Sequence, residues 1–202
     1  MTKEEIRNQI KEKLSTLSQE ARIAESKKIC TKIINSKDYT SCTSLLAYMP
    51  LSDEVDVLPV IYDALNCNKN IFIPRITPKT NQMDFYRYDH TTKTASGSFG
   101  ITEPDPEDVK SFPSFLSSSK TTQKILILFP GRAFTLSGKR LGRGKGFYDI
   151  YFSQLTESLS LSLSLPSSFS LDIKKSGVCF ACQILDDIPT TPDDILMDNI
   201  YF

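Results

Sequence analysis

The sequence predicts an α/β domain built on a mostly parallel sheet. Short apolar runs alternate with stretches of helical periodicity, and those runs are too continuous for strands with one face in water. The 202 residues carry 40% hydrophobic and 24% charged side chains, the profile of one globular core. A domain of this size buries roughly 70% of its unfolded surface. No Gly/Ser-rich or Pro-rich linker divides the middle, so residues 1–202 are read as a single domain.

Thr2 and Glu5 have the spacing of a capping box, and Ile6, Ile10, Leu14 and Leu17 then recur at helical intervals. Lys3 and Arg7 fall on one face of that first helix, where they meet a shared anion or are merely solvated. A second helix starts after Ser18, with Ala21, Ala24, Ile29 and Ile33 inward. A strand from Ser44 to Met49, a helix from about Asp56 to Cys67 with Pro59 in its first turn, and a strand Asn70–Ile73 closed by Pro74 make a βαβ unit. Met83–Tyr88 reads as an edge strand, and residues 91–122 as a long, partly irregular connection. Lys124–Phe129 and Val178–Cys182 read as strands buried on both faces. Between them, Ser158 to Leu165 alternates Ser with Leu; its low complexity and Pro166 mark 158–171 as an insertion before the last core strand.

Composition also excludes functions. With 24 Lys+Arg against 24 Asp+Glu the formal charge is zero, which argues against nucleic acid or an anionic membrane as partner. The first residues have neither the apolar core of a signal peptide nor the acid-poor character of a transit peptide, and no run reaches the ~20 apolar residues of a membrane span. Five scattered cysteines suit a reducing compartment, so the expected location is cytoplasmic. Cys179 and Cys182 lie in an apolar run and read as buried structural thiols. His90 is the sole histidine and sits in a polar stretch, which excludes His-rich zinc sites.

The densest chemical signal runs from Arg140 to Asp149. Gly142, Gly144 and Gly146 let backbone N–H groups approach an anion, while Arg140, Arg143 and Lys145 supply positive charge ahead of a helix N-terminus. Such a loop suits polyphosphate. Asp149, one turn after Lys145, offers a hard oxygen ligand for a divalent cation. Neither the Walker A spacing nor the dinucleotide fingerprint is present. Taken in isolation, the loop also fits a solvated turn or a small RNA contact. The acidic patch Asp53–Asp56 in turn suits the capping of a helix dipole.

The surrounding residues carry a resemblance. Lys3-x-x-x-Arg7, Glu54-Val-Asp56-Val57, Ile73-Pro-Arg75, Pro130 to Phe134 with Arg140 to Asp149, and Gln183 followed by Pro189 to Asp194 occur in the order seen in the 5-formyltetrahydrofolate cyclo-ligase family. The chain resembles that family from end to end, with the ten-residue loop as the most specific match. The resemblance implies a three-layer Rossmann-like fold, a monomer, and closure of 5-formyltetrahydrofolate to 5,10-methenyltetrahydrofolate using ATP and Mg²⁺. It implies that Lys3, Arg7, Arg140, Leu141, Gly142, Arg143, Gly144, Lys145, Gly146, Phe147 and Tyr148 hold the nucleotide, with Lys145 and Arg143 catalytic. Asp149 and Asp194 would hold Mg²⁺. The folate side would comprise Leu51, Glu54 or Asp56, Arg143 and Phe147. The chain departs from the pattern at Phe147, where Tyr is usual, at Asp193, where His is common, and at Val57, where Thr is frequent. Those departures motivate an alternative, a non-catalytic folate- or nucleotide-binding module of the same fold.

Overall fold

The capping box forms: Thr2 Oγ1 accepts the Glu5 N–H at 3.2 Å and Glu5 Oε2 accepts the Thr2 N–H at 2.8 Å, starting α1 (Lys3–Thr16) with Ile6, Ile10 and Leu14 buried. The structure is a computed structural model and describes residues 1–77, 82–97, 102–105, 110–119, 121–161 and 170–202. Ser18 caps α2 (Gln19–Ile34), whose inward residues are Ser26, Ile29, Cys30 and Ile33. Ala24, expected inward, is exposed. Ser26 takes the inward place because this face of α2 meets polar backbone: its hydroxyl accepts the Asp56 N–H at 3.1 Å, and the Cys30 thiol donates to the Asp56 carbonyl at 3.1 Å. A short α3 (Lys37–Ser41), capped by Ser36, leads into β1 (Ser44–Leu46).

After β1 come α4 (Leu58–Asn66), β2 (Asn70–Thr77) and β3 (Gln82–Tyr88). Strand β2 continues past Pro74, contrary to expectation. β1 ends at Leu46, opposite Phe72, so by residue 74 there is no β1 neighbour to need an N–H, and β3 supplies the remaining pairing through Thr77. The 91–122 connection is more structured than expected: among its described residues are the hairpin β4 (Thr94–Ser96) and β5 (Thr102–Pro104), and α5 (Phe112–Ser118), which buries Phe112 and Leu116.

The remaining elements are β6 (Gln123–Phe129), the hairpin β7 (Ala133–Phe134) and β8 (Arg140–Leu141), α6 (Phe147–Leu161), β9 (Leu171–Val178) and β10 (Asn199–Tyr201). Helix α6 extends into the Ser-Leu tract as far as Leu161; residues 162–169 lie outside the described residues. The strand expected at Val178–Cys182 lies earlier, as β9, which ends at Val178. In the first half of β9, Asp172 and Lys174 face solvent while Leu171 and Ile173 pack inward, a period-two pattern that its charged residues obscure. The apolar run Cys179–Cys182 instead leads into a 3-10 turn, Ala181–Gln183.

The sheet order is β10-β9-β6-β1-β2-β3, parallel throughout except for the antiparallel edge strand β3. Two cores lie on its opposite faces. Leu126 and Leu128 of β6 point to the side of α1 to α4, and Ile125, Ile127 and Phe129 to the side of α5 and α6. This alternation accounts for the continuous apolar run of β6 and confirms the three-layer α/β architecture.

Candidate active site

The topology itself places a crevice. From β1 the chain crosses by α4 to β2 on one side, and from β6 it crosses by α6 to β9 on the other, with α4 and α6 packed against opposite faces. The loops that follow β1 and β6 therefore diverge at a topological switch point, where open α/β sheets bind ligands. The first carries Leu51, Asp53, Glu54 and Asp56; the second carries residues 130–146.

The second loop is braced from below. Arg132 N–H donates to the Leu141 carbonyl at 2.6 Å, and Gln183 Nε2 donates to the carbonyls of Gly131 and Arg132 at 2.9 and 3.0 Å. Gln183 reaches them from the 3-10 turn Ala181–Gln183. Beyond Leu141, whose side chain is buried, the chain passes through Gly144 at φ +99° and Gly146 at φ +69°, the left-handed region that favours glycine. Gly146 then accepts the Ile150 N–H at 2.9 Å to begin α6.

Helix α1 meets this loop. Arg7 Nε donates to the Gly142 carbonyl at 2.9 Å, and Lys3 Nζ donates to Asp194 Oδ2 at 2.7 Å. Lys3, Arg7, the glycine loop and Asp194 are brought together from distant parts of the sequence. Among the described residues, Arg7 and the exposed Lys145 have no carboxylate partner, which leaves two cations available to an anion.

The other cations are engaged. Arg143 Nε donates to Glu54 Oε1 at 2.9 Å, and its Nη2 pairs with Asp53 Oδ1. Asp53 Oδ2 also receives Arg132 Nη1 at 2.6 Å, and Glu54 Oε2 accepts the Leu51 N–H at 3.0 Å. Burial pushes the Asp53 carboxyl up, but hydrogen bonds from Arg143 and Arg132 outweigh it and hold its pKa below the usual aspartate range. Asp56 is occupied elsewhere, because its Oδ1 accepts the Leu58 N–H at 3.0 Å at the start of α4. Of the two acids expected on the folate side, Glu54 is the one joined to the cation loop.

Arg140 departs from the expectation that it lies open to phosphate. Its side chain is 4% exposed; Nη2 reaches both Asp149 oxygens at 3.0 and 2.9 Å, Nη1 donates to the Pro130 carbonyl at 3.1 Å, and the guanidinium lies over the rings of Phe129 and Tyr148. Tyr148 packs edge-on towards Phe85, and burial, then the Glu54 charge, pushes its phenol up. Phe147 packs beside it against the same core.

Asp149 meets the backbone segment that carries Asp194: the Ile195 N–H donates to Asp149 Oδ1 at 3.5 Å. Burial raises the Asp194 carboxyl, but Lys3 and the Thr191 N–H more than offset this and lower its pKa. Carboxylates are the ligand type Mg²⁺ takes, but both are engaged in this structure, Asp194 by the Lys3 ammonium and Asp149 by the Arg140 guanidinium. No group of three His, Cys, Asp or Glu residues among the described residues forms an all-protein cage.

Sequence reasoning missed Arg132 and the specific role of Asp53. Arg132 lay inside the Pro130 to Phe134 motif but was one unpatterned cation, and Asp53 read as one acid among three near a helix start. Their only signal was opposite charge on two loops that the βαβ order brings to one crevice. His90 is exposed, as expected; Cys179 is fully buried, with burial pushing its thiol up, whereas Cys182, also expected to be buried, is half-buried in the turn after β9.

Fold and site define an α/β protein with a glycine- and cation-rich loop at a sheet switch point. The family model described as the 5-formyltetrahydrofolate cyclo-ligase family matches residues 1–202. A probable 5-formyltetrahydrofolate cyclo-ligase of Caenorhabditis elegans is 31% identical over 203 residues, covering 99% of this chain and 92% of the relative. The 5-formyltetrahydrofolate cyclo-ligase of Mus musculus is 29% identical over 98% of this chain and 91% of its own length. The NMR structure of Aquifex aeolicus 5,10-methenyltetrahydrofolate synthetase superposes with a TM-score of 0.70 at 27% identity, over 99% of this chain and 89% of that one. The chain belongs to the 5-formyltetrahydrofolate cyclo-ligase family, ATP-dependent ligases of folate one-carbon metabolism.

Proposed function

We propose that the chain closes 5-formyltetrahydrofolate to 5,10-methenyltetrahydrofolate, releasing ADP and phosphate, in the crevice bounded by α1, residues 142–146 and the acidic turn 51–54. The observation that carries this reading is the contact of Arg7 with the Gly142 carbonyl at 2.9 Å across 135 residues of sequence, which sets a free cation beside the glycine loop.

The formyl oxygen is a poor leaving group until it is phosphorylated. It attacks the γ-phosphorus of ATP, the bond to the bridging oxygen breaks, and ADP takes the electron pair. N10 then adds to the formyl carbon and loses its proton, and phosphate departs with the former formyl oxygen. The protein need supply no nucleophile; its work is positioning and charge neutralisation. Lys145 and Arg7 face the phosphate oxygens, Lys3 lies beside them, and the N–H groups opening α6 add partial positive charge. Arg143 turns from the acidic turn to the transferring phosphoryl group, and Glu54, with Leu51 and Phe147 near it, accepts pterin N–H donors. Asp149 and Asp194 would hold Mg²⁺, which when bound neutralises charge on the phosphate oxygens. Arg140 stays beneath the loop as a brace.

The same reading includes a monomer at work in the cytoplasm, and one without a nucleic-acid partner, the last of these supported by the zero formal charge. No helix among the described residues is long and apolar enough to cross a membrane. The test is turnover: protein with Mg-ATP and 5-formyltetrahydrofolate is expected to form a product absorbing at longer wavelength. Lys145→Ala should lower kcat by about 100-fold with the melting temperature unchanged. Ligand-induced thermal shift without conversion would instead support the non-catalytic module.

A further inference from the structure

Arg143 faces a conflict. It must reach phosphate under the proposed function, yet its guanidinium is paired with Asp53 and Glu54, whose side chains are 27% and 8% exposed. Carboxylates this shielded are costly to leave without a partner. Glu54 has an answer, because Oε2 keeps the Leu51 N–H at 3.0 Å after Arg143 departs. Asp53 has Arg132, whose Nη1 donates to Oδ2 at 2.6 Å.

We propose that Arg132 is a positioning residue for the reaction: by remaining on Asp53, it frees Arg143 to leave the acidic turn for the γ-phosphate. The inference rests on the reading that Arg143 meets phosphate. The two arginines differ in footing. Arg132 is pinned at both backbone groups, by its N–H to the Leu141 carbonyl at 2.6 Å and by Gln183 Nε2 to its carbonyl at 3.0 Å, and its side chain is 14% exposed. Arg143 stands between Gly142 and Gly144 with a side chain 32% exposed. One is built to stay and the other to move. Without Arg132, the departure of Arg143 would strand Asp53, so Arg143 would be retained at the turn and withheld from the nucleotide.

Steady-state kinetics over a titration of Mg-ATP test this. Arg132→Met is expected to raise the KM for ATP about tenfold, the weight of one charge-assisted hydrogen bond. Arg132→Lys, which keeps the charge and folds more readily, should stay within about threefold of the parent. In the double variant Arg132→Met/Asp53→Asn the Asp53 charge that needed Arg132 is gone, and Glu54 keeps the Leu51 N–H, so the KM for ATP should return to that of Asp53→Asn alone. An unchanged KM in Arg132→Met overturns the proposal, as does a double variant no better than Arg132→Met, because Arg132 would then act only through the hairpin fold. Arg143→Ala separates the two layers: if it leaves KM and kcat for ATP unchanged, the reading of Arg143 fails first and takes the inference with it.

Discussion

Arg140 and Arg143 are three residues apart on one loop, yet they occupy opposite environments. Arg140 lies at the root, 4% exposed, clamped by Asp149 and roofed by Phe129 and Tyr148. Arg143 lies at the tip, 32% exposed and shared between Asp53 and Glu54 on another loop. The difference teaches that burial, not residue type, divides the labour. A desolvated guanidinium with one carboxylate is expensive to disturb and serves as structure, whereas a partly wet one with competing partners exchanges them at low cost.

Breaking the root should have the largest effect. Asp149→Ala leaves Arg140 buried without its carboxylate and is expected to cost about 3–5 kcal/mol of stability, measured by urea unfolding, whereas the tip variant Arg143→Ala should cost under about 1 kcal/mol. Equal losses from the two would erase the distinction. A smaller effect is expected at Gly144, whose φ of +99° disfavours a Cβ: Gly144→Ala should cost about 1–2 kcal/mol and also raise the KM for ATP, while the root contact between Arg140 and Asp149 persists. A crystal structure of that variant with an unaltered tip would remove the case for a tip tuned by glycine.

The smallest effect concerns pH. The folded-state pKa of Asp53 lies below its unfolded value of about 3.9, so its stabilisation is complete above that value and is lost as pH falls through the lower, folded one. Melting temperature should therefore hold between neutral pH and about 5 and fall below about 4. Asp53→Asn should show a shallower acid decline; an identical decline would mean that the tip's ion pairs do not contribute.

Root and tip also mark how far the sequence could be read. The glycine- and cation-rich loop was legible because charge and glycine are concentrated within ten residues, and α1 because its cap and apolar period are local. The inward turn of Arg140 was not, since it depends on β7 and β8 pairing over Pro130 and on aromatics from β6 and α6. Likewise β9 escaped notice because its edge of charged residues hides a two-residue period, while the neighbouring apolar Cys179–Cys182 imitates a strand. Asp53 and Arg132 lie 79 residues apart, and only the strand order makes them neighbours.

The ion pair between Lys3 and Asp194 spans 191 positions of sequence and has a consequence for biosynthesis. At roughly 5–20 residues per second, a ribosome delivers the second partner on the order of 10–40 s after the first. Throughout that interval the Lys3 ammonium has no Asp194 to pair with. A nascent polypeptide stalled short of residue 194 leaves Lys3 without this partner, so the tie between α1 and the end of the chain is deferred until both ends of that span have emerged.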